Sequence, residues 1–179
     1  FNAGVNFERS GQVLLAIKNY KSVKDRKDKN AASVQPKAKK LLAKIYQDSH
    51  QFIEAAIMFT ELAAENPKDP LMPNYIFNAA IMYEASGKIN EAIKSYTQYT
   101  TVNKNQNENN DIQFLIADLY RNKNMKKEAV DHYRAYVESA RDSYKTVEAN
   151  YWLSQLGYVT SKDKEEYRRR TVAQFYKLS

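Results

Sequence analysis

The stretch MYEASGKINEAIKSY, Met82 to Tyr96, decides the fold. A Tyr stands four residues before Gly87, an Ala five after it, and a second aromatic four after that. Read alone, it is two amphipathic helices joined by a tight turn, because glycine enters the left-handed conformation that ends a helix at little steric cost. Its meaning depends on whether the spacing recurs.

It recurs. Tyr46, Tyr83 and Tyr120 are spaced by 37 residues, as are Ala55, Ala92 and Ala129, and then Phe59, Tyr96 and Tyr133. The turn slot holds His50, Gly87 and Asn124, residue types that tolerate a positive φ. Leu42-Ala43, Ala79-Ala80 and Ile116-Ala117 fill one recurring pair of slots. Pro36 and Pro73 recur at the same interval, where a first-turn proline costs no hydrogen bond. A partial copy precedes these three: Phe7, Gly11, Ala16 and Tyr20 repeat the spacing at an offset of 39, which places two extra residues in the Asp25–Val34 connection. A degenerate copy follows, with Leu153-Ser154 in the paired slot, Gly157 in place of the aromatic, and Glu166 and Arg170 in the later slots. Tyr167, Thr171, Phe175 and Leu178 then form one helical stripe, as expected of a terminal helix that covers the last core face of an array.

These residues resemble the tetratricopeptide repeat, whose pattern is W-x2-L-G-x2-Y, then A-x3-F, then P. Leu42-Ala43-x2-Tyr46, Ala55-x3-Phe59 and Pro67 fit it best; the first Trp is lost, Ala replaces the small Gly, and the unit is three residues longer. The resemblance implies an all-α, right-handed α-solenoid of helix-turn-helix repeats with a C-terminal capping helix. It divides the chain as one array with repeats about 1–33, 34–70, 71–107 and 108–144, and a degenerate repeat and cap over 145–179. Elongated units of this sort are common in bacterial arrays. Two short helices cannot bury their apolar faces alone, so successive pairs must stack, and the repeated residues read as packing positions.

Composition agrees with this reading. Of 179 residues, 43% are hydrophobic and 27% charged, with only four Gly and four Pro. Without cysteine, disulfides and thiolate metal sites are excluded. No apolar run approaches the ~20 residues that span a bilayer. An opening at Phe1 in place of methionine leads us to expect a fragment or processed form, so compartment, bacterial cytoplasm or periplasm, stays open. The net charge of +7 sits in residues 1–50, densest in KNYKSVKDRKDKN (Lys18 to Asn30) and in Lys37, Lys39, Lys40 and Lys44.

The resemblance implies that partners lie along the first helix of each pair, in a concave groove. One slot there holds Lys40, Phe77, Phe114 and Tyr151 at the repeat interval, with Lys44, Asn78, Ile81, Leu115, Asp118, Trp152 and Gln155 beside it. The candidate site is an apolar strip of Phe77, Ile81, Phe114, Tyr151 and Trp152, flanked by Asn78 and Leu115, with a mouth of Lys37, Lys40 and Lys44. It calls for a protein or peptide partner with acidic and apolar residues. The same side chains read equally as packing against the adjacent first helix. A carboxylate clamp of the family type is disfavoured: Lys40 and Asn78 match, but Lys44 replaces an Asn, and Asp111 and Leu115 stand where two cations are expected.

The basic third reads alternatively as a solvated face, or as a surface for nucleic acid or anionic lipid. Nucleic acid is disfavoured because Tyr20 and Tyr46 occupy packing slots and cannot stack bases. His50 and His132 lack paired metal spacing, no Gly-rich phosphate loop exists, and NKNQNEN (Asn103 to Asn109) reads as a polar loop. The expectation is a non-catalytic binding scaffold without cofactor or metal. The alternative is a self-assembling segment of a longer array.

Overall fold

The computed structural model describes residues 1–28, 31–139 and 143–178. Ten helices, and no strand, occur among them: α1 (Asn2–Arg9), α2 (Val13–Lys24), α3 (Gln35–Asp48), α4 (Phe52–Glu65), α5 (Met72–Ala85), α6 (Ile89–Val102), α7 (Gln106–Asn122), α8 (Lys126–Ser139), α9 (Tyr144–Gln155) and α10 (Ser161–Leu178). Of the basic run and the Asp25–Val34 connection, Lys29 and Asn30 lie outside the described residues.

The same turn closes the first four helix pairs. Gly11, His50, Gly87 and Asn124 all have positive φ, between 59° and 74°. In each turn the residue after the left-handed one donates back to the carbonyl of the repeat's first aromatic: Gln12 to Phe7 and Gln51 to Tyr46, each 2.8 Å, then Lys88 to Tyr83 at 2.8 Å and Met125 to Tyr120 at 2.9 Å. The left-handed residue donates to the carbonyl three before it, completing a Schellman cap that satisfies two orphan carbonyls. Helix starts are equally local. Pro36 and Pro73 lie in the first turns of α3 and α5.

The expectation of a loop through Asn109 is corrected. Asn105 accepts from the backbone N–H groups of Asn107 and Glu108, and its amide donates to Glu108 Oε1 at 2.7 Å. This N-cap with an acidic partner three residues on starts α7 at Gln106, so the connection spans only 103–105.

The helices gather into two compact units, Phe1–Tyr99 and Thr100–Ser179. In the first, each helix from α1 to α5 packs on its chain neighbours; in the second, α7, α8, α9 and α10 do the same. The repeated slots form the cores. Ala16, Ala55, Ala92 and Ala129 are 0% exposed, as are Ala43, Ala80 and Ala117. Gly4 occupies the same slot as those last three alanines in the first copy; a Cβ there would meet the Tyr20 ring at 2.6 Å.

The cap departs from its expected stripe. Tyr167, Thr171 and Leu178 are half-buried on α10, which packs against α9, but Phe175 is 52% exposed. Gln174 takes its place and accepts from Asn150 Nδ2 at 2.9 Å. Asn150 is almost fully buried, so a polar partner on α10 takes up an N–H of its amide where a Phe could not.

Candidate functional site

The aromatic slot of the first helices faces its own repeat's second helix. Phe1 lies 5.9 Å from Tyr20, Phe77 lies 6.0 Å from Tyr96 and 5.1 Å from Tyr99, and Phe114 lies 5.7 Å from Tyr133 and 5.2 Å from Tyr136. Phe114 is 8% exposed and belongs to the core of the second unit. Its expected place as a partner anchor is therefore corrected: edge-on packing inside the hairpin consumes its surface. Phe77 is half-buried by the same kind of contact, and Ile81 packs against the core of the first unit.

The tyrosines under these rings carry a second regularity. Tyr20 donates to Glu8 at 2.7 Å and Tyr96 to Glu84 at 2.8 Å, carboxylates twelve residues upstream in both cases. Tyr133 has Arg121 at that upstream position and donates instead to Asp118, which Arg121 also binds. Burial, then the acceptor carboxylate, pushes all three phenols far above their usual range, so each stays a donor. This is structural chemistry.

Lys40 breaks the aromatic slot. Its Nζ sits 5.2 Å over the Tyr75 ring, while Lys37 and Lys44 are exposed and take part in no ion pair among the described residues. Lys39, in contrast, is 4% exposed and bonds Glu61 Oε2 at 3.0 Å and Glu65 Oε1. Spacing did not separate this buried lysine from its neighbours; Ile76, one repeat later, was the available signal. The first helices α1, α3 and α5 carry the carboxylates Glu8, Asp48 and Glu84, of which two are taken by tyrosines. These carboxylates keep their charge, so the excess of cations lies on α3, where the exposed Lys37, Lys40 and Lys44 stand against Asp48 alone.

Lys37, Leu41 and Lys44 follow i, i+4, i+7 spacing and share one side of α3. Leu41 also lines an open cavity of about 440 Å³ with Val5, Glu8, Arg9 and Tyr20. Sequence reasoning missed Val5 and Leu41, although Val5 shares its slot with Lys44 and Ile81. Asn78 is half-buried on α5. The largest exposed apolar side chains of these pairs lie elsewhere, on the second helices: Leu14 at 83%, Ile53 and Ile57 at 40% each.

In the second unit, Leu115 and Trp152 are half-buried and Tyr151 is 45% exposed, edge-on to Trp152 at 5.1 Å. The Arg121 guanidinium stacks over Trp152 at 4.1 Å while bonding Asp118 at 2.9 Å. The first helices here are acidic, with Glu108, Asp111, Asp118 and Glu148 against Arg121 and Lys145. No group of three or more metal-ligating side chains occurs among the described residues, and none of the described helices is long and apolar enough to cross a membrane.

Stacked helix pairs with a shared turn define a class of repeat protein, and comparison names it. The tetratricopeptide repeat family model matches residues 73–106 and 111–143, so α5–α6 and α7–α8 are tetratricopeptide repeats. Among solved structures it is similar to nearly identical TPR-like repeats of a Podosopora anserina protein assigned as a kinesin light chain. The TM-score is 0.57 at 18% identity, covering 98% of this chain and 93% of that one. A single-substitution form of those repeats gives 0.55 and 18%, covering 98% and 92%. No curated protein matches the chain. Repeats of this family generally mediate protein–protein interaction and are typically non-catalytic.

Proposed function

We propose that the chain is a non-catalytic scaffold that holds a protein segment on the first-helix face of its first unit. The observation that carries this is the uncompensated row of Lys37, Lys40 and Lys44 beside the cavity of Leu41 and Val5. The lysine row on α3 attracts and orients a segment of opposite charge, and the recess of Val5 and Leu41 beside it then retains an apolar side chain of that segment. Asn78 and Ile81 border the lysines on α5, and Leu115, Tyr151 and Trp152 offer a second, more acidic first-helix face in the other unit.

The test compares the native protein with Lys37→Glu/Lys44→Glu as bait in extract of the source cells. Neither lysine makes an ion pair among the described residues, so the variant keeps its melting temperature. Loss of specific preys by the variant supports the reading, and an unchanged prey set sinks it.

A further inference from the structure

We infer that the segment held on this face is an acidic amphipathic helix, an inference that rests on the scaffold reading and gives its partner a chemistry. Three observations lead there. The first is charge. On α3 the exposed Lys37, Lys40 and Lys44 stand against one carboxylate, Asp48, while Arg9 and Glu8 balance on α1; the excess of positive charge therefore lies along α3. The complementary surface is therefore rich in carboxylates.

The second is spacing. Lys37, Lys40 and Lys44 rise along α3 in steps of three and four residues, so the outer two are about 10 Å apart at 1.5 Å per residue. A helix laid alongside repeats those intervals with carboxylates at j, j+3 or j+4, and j+7. An extended strand repeats same-side residues at about 6.8 Å, and about 10 Å falls between its first and second repeats. The third is the recess: Leu41 lies on the same side of α3 as Lys37 and Lys44, and with Val5, Tyr20, Glu8 and Arg9 it lines the open cavity. An apolar side chain among the carboxylates of the partner helix fills it, the helix-in-groove mode of recognition.

The face does not suit nucleic acid. Single strands need exposed rings on which to stack, and no aromatic of residues 1–99 is among the exposed large hydrophobics. Tyr20 is 0% exposed and Tyr46 is 3%.

The experiment uses the whole chain and three labelled synthetic peptides. One is helix-forming with Glu at j, j+3 and j+7 and Leu at j+4; one has the same residues in scrambled order; one keeps the order but carries a central proline. Binding is read by fluorescence anisotropy at low and high salt, and the contact surface by backbone amide chemical shifts. The ordered helix should bind at least tenfold more tightly than either control, weaken with salt, shift the α3 amides, and lose about tenfold or more with Lys37→Glu/Lys44→Glu. Equal binding of the proline peptide with shifts on α3 overturns the helical partner and leaves the scaffold reading standing. Tight binding that shifts other amides and ignores the lysine variant overturns the scaffold reading itself. An oligonucleotide that competes on α3 at the same concentration as the ordered peptide, or no binding of the ordered peptide, overturns the inference.

Discussion

At the scale of single residues, the polar groups buried beside α3 set clear expectations. The Tyr75 hydroxyl is buried without a hydrogen-bond partner, while its ring lies under Lys40. Tyr75→Phe keeps the ring and removes an unsatisfied group, so it should stabilise the protein by about 1 kcal/mol in chemical denaturation; a loss would show that the hydroxyl has a partner. Lys39 gives an asymmetric pair. Removing both carboxylates with Glu61→Ala/Glu65→Ala leaves a buried cation alone and should cost about 3 kcal/mol. Lys39→Met leaves carboxylates that are 34% and 46% exposed and well solvated, and should be close to neutral. Ile76, 3% exposed, already shows the slot accepting an apolar residue. Equal costs of the two changes would mean that Lys39 is solvated.

Helices and turns are specified redundantly, and glycines at two kinds of place separate the causes. Gly87 has φ +74° and nothing within 4 Å of where a Cβ would stand. Gly87→Ala should therefore lose about 1 kcal/mol for conformational reasons alone. Gly4 sits within α1, where alanine would gain up to about 1 kcal/mol of helix propensity. Its Cβ, however, would stand 2.6 Å from the ring of the buried Tyr20, whose hydroxyl is tied to Glu8. Overpacking of about 1–3 kcal/mol should win, giving net destabilisation by Gly4→Ala in thermal melts. Ala92→Leu should likewise cost roughly 1–3 kcal/mol, because Ala92 is 0% exposed, whereas Lys94→Leu on the exposed side of α6 should cost little.

For the molecule as a whole, acid sensitivity between pH 7.5 and 5.5 should trace in part to His132. Its ring stacks on Tyr120 at 5.3 Å and meets Gln113 Oε1 at 2.7 Å, and burial lowers its pKa, partly opposed by Asp131. The unfolded chain then takes up a proton near pH 6.5 while the folded chain resists it. Stability is full above that pH and falls as pH drops towards the folded pKa. His132→Gln should show a smaller difference in melting temperature between pH 7.5 and 5.5; an unchanged difference would assign the effect elsewhere. Among the first helices, α3 of the first unit is basic while α7 and α9 of the second carry more carboxylates than cations, so charge, not a continuous apolar strip, distinguishes their surfaces.

The sequence by itself determined the ten helices, the four left-handed turns and the small-residue slots, because each is fixed by local chemistry repeated at a constant interval. Helix caps need only nearby backbone groups, and an alanine repeated at one interval has a single packing explanation. Tertiary structure alone decided what the larger side chains do. A residue on a first helix can turn toward its own second helix or toward the next repeat, and both contacts recur with the same period. Spacing therefore could not show that Phe77 and Phe114 lie against Tyr96 and Tyr133. The burial of Lys39 had one trace in the sequence, Ile76 one repeat later, but only the tertiary structure set it between Glu61 and Glu65 while Lys40, one residue on, stays in water: a helix turns about 100° per residue, so adjacent lysines differ in fate by the direction of their neighbours.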